Sequence, residues 1–298
     1  MLSLLGGMGW ASAEAGELIL KPVADTTLSG IHPENNLGAT PELVVGAVNR
    51  LESEVRARVL LRFDLSDLPP GAEVTGAMLG VEVMVKQDGS APAGVGAHRL
   101  LQTWGEGTKS GLQGAKATAG EATWNSRFAG GGSWAEPGGK GGTDFVSEAS
   151  AITTVDELGP VSFPETAGIL EDVRAWQADP GSNFGWILIG RSEGVLGSAR
   201  WLGSREHPTA APTLRLVYSL PEVVPFDSVA LQGDSIQLGF HADAGNIYSV
   251  WYRPALPGTT WQTLTNVVSK FAPLDVVVPD VPEAGVRFYQ LVITGQVD

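Results

Sequence analysis

The chain contains no cysteine, which excludes disulfides, thiolate metal sites and a cysteine nucleophile. Positive charge is scarce: 19 Lys and Arg stand against 33 Asp and Glu, a formal net charge of −14. That balance argues against generic binding to nucleic-acid phosphates. Arginines do gather at Arg50, Arg56, Arg58 and Arg62, and again at Arg191, Arg200 and Arg205, which leaves room for a local basic patch. The four histidines, His32, His98, His207 and His241, lie far apart, and none has a His or Glu at zinc-site spacing. No Gly-x-Ser-x-Gly elbow, phosphate-binding loop or dinucleotide fingerprint occurs. Glu171 and Asp172 are adjacent in an expected helix, point in different directions, and form no acid–base pair by themselves. Beyond the N-terminus no apolar run approaches the length of a membrane span.

What the chain does have is alternation. In Arg58–Leu65, residues Val59, Leu61, Phe63 and Leu65 fall on one face of a strand, and Arg58, Leu60, Arg62 and Asp64 on the other. After the Leu68-Pro69-Pro70-Gly71 turn, Ala77, Leu79, Val81, Val83 and Val85 repeat the period of two. Two long half-apolar strands need a second layer to cover them, so the expected fold is an all-β sandwich. The 39 glycines and 19 prolines suit many short strands joined by turns.

The 298 residues are enough for two domains, each with its own core. Met1–Trp10 is apolar and Ala11-Ser12-Ala13 fits a small-x-small cleavage site, although the first positive residue is Lys21. Residues 1–15 are therefore read as a truncated signal peptide, the alternative being an ordinary apolar tail. Residues 16–218 are read as one β-rich domain, 219–226 as a linker, and 227–298 as a smaller β-sandwich with five strands, of immunoglobulin-like or fibronectin-like density. Gly105–Gly142 is expected as long loops with a few ordered anchors. One helix is expected over Thr166–Gln177, capped by Thr166 and stopped by Asp179-Pro180-Gly181.

The motifs Ala24-Asp25-Thr26-Thr27, Leu43-Val44-Val45-Gly46, Arg62-Phe63-Asp64-Leu65-Ser66 and Leu68-Pro69-Pro70-Gly71-Ala72 come in an order that resembles the bacterial DNRLRE domain. Thr103-Trp104-Gly105-Glu106-Gly107, Ala122-Thr123-Trp124-Asn125, Asp172-Val173-Arg174-Ala175-Trp176 and Asn183-Phe184-Gly185-Trp186 continue the resemblance over about two thirds of the chain. It implies a jelly-roll sandwich of extracellular bacterial proteins, related to carbohydrate-binding modules attached to polysaccharide lyases. One departure is visible. Where the family often runs Pro-Gly-Gly-Asp-Phe, this chain reads Pro137-Gly138-Gly139-Lys140-Gly141-Gly142-Thr143-Asp144-Phe145, with a lysine inserted and the acidic position displaced.

Sugar binding needs flat aromatic faces and a few fixed polar groups. Trp104, Trp124 and Trp134, in or beside the long loops, are the candidate rings, their alternative role being to anchor those loops to the core. Arg127, Arg205 and Lys140 are candidates for uronic carboxylates, or else for structural ion pairs. Trp176 and Trp186 are expected in the core. A structural calcium, as jelly-roll modules often hold, would draw on Asp25, Glu34, Asn35, Asn36 and Asp144, although no defined calcium-loop spacing is present. The leading expectation is a secreted, non-catalytic polysaccharide-binding protein. The alternatives are an extracellular structural or adhesive protein that self-assembles or joins an envelope complex, and a polysaccharide lyase or hydrolase.

Overall fold

The computed structural model describes residues 15–48, 55–86, 92–253, 261–282 and 287–297. Nearly all of the expected signal segment, Arg50 and the expected turn at 254–258 lie outside the described residues. Two compact units are present, one built from Glu17–Asp67 with Val74–Val217, the other from Tyr218–Asp298 with Leu68–Glu73 and the N-terminal residues.

The larger unit is a curled β-structure of the jelly-roll type. Its strands are β1 (Ala15–Leu20), β2 (Pro22–Ser29), β3 (Asn35–Asn36), β4 (Glu42–Ala47), β5 (Arg56–Phe63), β6 (Glu73–Lys86), β7 (Gly94–Arg99), β8 (Ala115–Lys116), β9 (Ser126–Phe128), β10 (Gly132–Ser133), β11 (Ala151–Thr154), β12 (Gly159–Ser162), β13 (Trp186–Gly190), β14 (Arg200–Gly203) and β15 (Thr213–Ser219). The main ladder runs β1-β15-β6-β14-β4-β5-β13-β7-β11, with β12 added on β6 and β2 on β5.

Strand β4 carries the chain from one layer to the other. It pairs with β14 through Glu42–Val45 and with β5 at Gly46 and Ala47. Gly46 makes the corner, with φ +106°. A Cβ there would lie 2.7 Å from the Ser198 carbonyl oxygen, so the corner needs glycine twice over, for its backbone angle and for its close approach.

The alternation places the core as expected except at Val85, which is exposed near the end of its strand. Val59, Leu61 and Phe63 of β5 are buried on the face shared with Trp186 and Leu188 of β13, while Ala77, Leu79, Val81 and Val83 of β6 are buried in the other layer. Helix α1 (Ala167–Ala178) closes one end: Thr166 caps it by accepting the Ile169 N–H, and Trp176 meets Trp186 edge-on with ring centres 4.5 Å apart. No helix among the described residues is long and apolar enough to cross a membrane.

The smaller unit is itself a two-layer sandwich. Strands β16 (Glu222–Val224), β17 (Ser228–Gln232), β18 (Ser235–Ala242), β19 (Asn246–Arg253), β20 (Gln262–Ser269), β21 (Leu274–Asp280) and β22 (Phe288–Gln296) form sheets ordered β16-β22-β19-β20 and β17-β18-β21. Leu238, Phe240, Tyr248, Val250, Val278 and Leu291 fill the space between them. The expected linker is corrected in part: Glu222–Val224 is strand β16, hydrogen-bonded to β22. Its Glu-Val-Val run is too short for alternation to register, and the flanking Pro221 and Pro225 hide it.

Replacing Gly46 by alanine is expected to lower stability by about 1–3 kcal/mol, since it forces a side chain into left-handed backbone against a carbonyl. Denaturant unfolding of Gly46→Ala checks this; an unchanged midpoint would show that the corner relaxes freely.

Candidate functional site

Sheet layer β2-β5-β13-β7 has a second face, and the long segment after β7 covers it. Leu28, Leu60 and Ile187 on that face pack with Leu100, Trp104, Ala122, Trp124, Trp134 and Phe145 in one buried cluster. The three tryptophans are only 3–4% exposed. Their ring edges are used internally: the Trp104 indole N–H donates to the Phe184 carbonyl at 2.9 Å, and that of Trp134 to the Thr123 carbonyl at 3.0 Å. Trp124 is covered on one side by Gly138, where a Cβ would fall 2.6 Å from the ring, and by the Arg56 and Arg58 guanidinium groups at 5.5 and 5.6 Å. The expectation that these rings offer open faces to a sugar is therefore corrected. They anchor the loops, because a segment with so little regular structure gains its order by burying large apolar side chains.

Arg58 locks this layer. Its side chain points out from β5, pairs with both carboxylate oxygens of Glu193 at 2.6 and 3.1 Å, and donates to the carbonyls of Gly138 and Gly139. The fork geometry gives four of the five N–H donors of a nearly buried cation a partner.

The residues expected to hold calcium serve as loop pins. The Asn36 side chain donates to the Glu106 and Ala122 carbonyls and accepts the N–H groups of Gly38 and Lys109. Asp144 is buried and accepts from Ala135 and Lys140 N–H, both at 2.8 Å. Asn35 donates to the Gln113 carbonyl, and Glu34 accepts from Asn125. Among the described residues no three His, Cys, Asp or Glu side chains gather as a metal shell requires. Four of the five expected ligands, Glu34, Asn35, Asn36 and Asp144, are thus engaged by groups of the loops. Glu121, not singled out in the sequence, is a stronger pin: burial raises its pKa, but the N–H groups of Thr118 and Thr108 together with Lys109 outweigh that and hold it at about 2.

The candidate cations are likewise committed. Arg127 donates to the Ser133 and Thr103 carbonyls, and Lys140 pairs with Glu136 at 2.7 Å. Arg205 bridges Glu206 at 3.0 Å and Glu106 at 3.3 Å and also donates to the Val23 carbonyl. Its backbone N–H donates to Asp25 Oδ2, and the Asp25 N–H donates to Glu106. Asp25 Oδ1 finds no donor among the described residues. Burial, with Glu206 and Glu106 close by, pushes this carboxyl up to about 8.

An open concavity remains, lined by residues of β2 and β5 together with Val44 of β4 and Trp201 of β14. Trp201, partly exposed, faces outward because its neighbour Leu202 is buried inward, and its cross-strand partners are Val44 on one side and Val85 on the other. Beside Trp201 and Val44 lies a cavity of about 160 Å³, closed by Ile31, His32 and Leu37 from the β2–β4 connection, by Arg56, and by Leu112 and Gln113 from the long segment. Beside this wall the Asn36 side chain accepts the Gly38 N–H and donates to the Glu106 carbonyl, and Gly38 permits the approach, since a Cβ there would lie 2.2 Å from the Glu106 carbonyl. Trp201 was missed in the sequence as a site residue, yet Arg200-Trp201-Leu202 carries the signal: in a strand with Leu202 inward, Trp201 must point out.

Residues 17–131 match the family model of carbohydrate-binding module family 96. This segment includes every wall of the concavity named above except Trp201. A comparison with curated proteins finds no match.

Trp124→Ala should cost about 3–5 kcal/mol of folding stability, the range for emptying a buried aromatic site, read from denaturant unfolding. Asp25 yields a pH signature. Its folded-state pKa lies above its ordinary value, so its contribution favours folding at acid pH and is lost as pH rises from about 4 through about 8. The melting temperature of the parent should fall across that window, and that of Asp25→Asn should fall less. Parallel pH profiles for the two would contradict this assignment.

Proposed function

We propose that the larger unit binds polysaccharide in the concavity beside Trp201 and that the protein acts outside the cell without catalysing a reaction. The observation that carries this is a partly exposed indole, Trp201, beside an apolar depression whose other named walls lie in the segment similar to a carbohydrate-binding module. The Trp201 face supplies the surface on which sugar C–H groups stack, and His32, Gln113 and Arg56 supply polar groups for hydroxyls or for a charged substituent. Arg56 is steadied by Glu193 at 3.9 Å and by Trp124 beneath it, so it meets a ligand with little entropy left to lose. Export is consistent with a cysteine-free chain that needs no disulfides to hold two apolar cores together.

Binding is tested by retention on alginate, pectin, glucan and xylan. Trp201→Ala is expected to weaken binding to whichever polymer is held by about 1–3 kcal/mol while leaving the melting temperature nearly unchanged. Failure of the parent protein to be retained on any polymer would overturn the reading. Equal affinity of parent and Trp201→Ala would move the site elsewhere.

A further inference from the structure

We infer that strand β17 of the smaller unit is a self-association edge, which pairs antiparallel with β17 of a second copy about Ala230. One edge of β17 is fully paired with β18, from Ser228 opposite Gly239 to Gln232 opposite Ser235. Among the described residues no strand pairs with its other edge. All five residues of β17 are exposed, Val229 at 66% and Leu231 at 77%. Both share a face with Leu238 and Ile236, which belong to the core side of the sheet, so β17 carries the apolar face of its sheet beyond the part that is covered.

Edges of this kind are usually protected by lysine, proline, a bulge or extreme shortness. Ser228-Val229-Ala230-Leu231-Gln232 has no lysine, no proline and an unbroken register. The occupant follows from charge and symmetry. Two copies of a chain of formal charge −14 repel over most of their surfaces, and this strand is uncharged. Its order of polar, apolar, small, apolar, polar reads the same in both directions, as an isologous two-fold contact requires. Pairing about Ala230 sets Val229 opposite Leu231 of the second copy, twice, and joins two three-stranded sheets into one of six strands. Asp227 and Asp234 flank the strand, and at each end of the joint Asp227 of one copy comes within one residue of Asp234 of the other. The association therefore strengthens as salt is added. A dimer presents two copies of the larger unit to one polymer and gains avidity.

Sedimentation velocity of the full chain over a wide dilution series, at low and high salt, tests the state. The expected result is a monomer–dimer equilibrium that shifts toward dimer with salt, and a dissociation constant raised about tenfold or more by Leu231→Lys at an unchanged melting temperature. Because the parent lacks cysteine, Ala230→Cys adds a single thiol on the two-fold axis, where directly opposed Cα atoms come within disulfide reach. It should cross-link far faster than Leu158→Cys, an exposed position in the other unit. A chain that stays monomeric at every concentration overturns the proposal. So does a dimer in which the two cysteine variants cross-link equally, which would assign the contact to another surface.

Discussion

The larger unit depends on one constraint: the layer formed by β2, β5, β13 and β7 is apolar on both faces and must be covered twice. The opposite layer and α1 cover the inner face. The outer face is covered by a segment with almost no regular secondary structure, held down by Trp104, Trp124, Trp134 and Phe145 and locked by the contacts of Arg58 to Glu193 and to the Gly138 and Gly139 carbonyls. Such a segment has few ladder hydrogen bonds, so irregular backbone bonds such as Gly120 to Ala129 and Ala122 to Gly105 hold its main chain, and side chains take up further groups. Asn36, Glu121 and Asp144 each receive or donate several bonds to main-chain groups of the loops.

That constraint decides what is left for a ligand. Tryptophans spent on covering the outer face cannot stack on sugars, and arginines satisfied by carbonyls cannot reach for carboxylates. The concavity beside Trp201 is left where Val44 of β4 and Trp201 of β14, both only partly covered, meet Thr27 and Ser29 of β2 and Arg56 and Ala57 of β5. The long segment still contributes there, through Leu112 and Gln113 at its outer turn.

The legible parts of the sequence were those governed by period. Alternation in β5 and β6 placed Val59, Leu61, Phe63, Leu79, Val81 and Val83 inward, and the helix with its Thr166 cap followed from spacing and a single polar residue. Burial of Leu60 was not legible as a second core, because one leucine among Arg58, Arg62 and Asp64 reads as an incidental apolar residue on a solvated face. The loop tryptophans were harder still. Outside regular structure no period says which way a ring points, and composition fits a platform as well as an anchor. Trp201 was legible through its inward neighbour Leu202, since successive strand residues point to opposite faces. The acidic and amide residues of the loops carried the right chemistry for oxygen ligation, and their engagement with backbone N–H groups is a property of the folded chain alone.

The family match stops at residue 131, and the physics does not. Trp134 and Phe145 complete the covering layer, Ile187 belongs to the surface they cover, and Trp201 enters from a strand some seventy positions later. A fragment trimmed to the recognisable stretch would bare the oily side of β2 and β5, and would be expected to clump instead of gripping anything. The smallest piece of this chain that can be handled as a module has to run on to the end of β15.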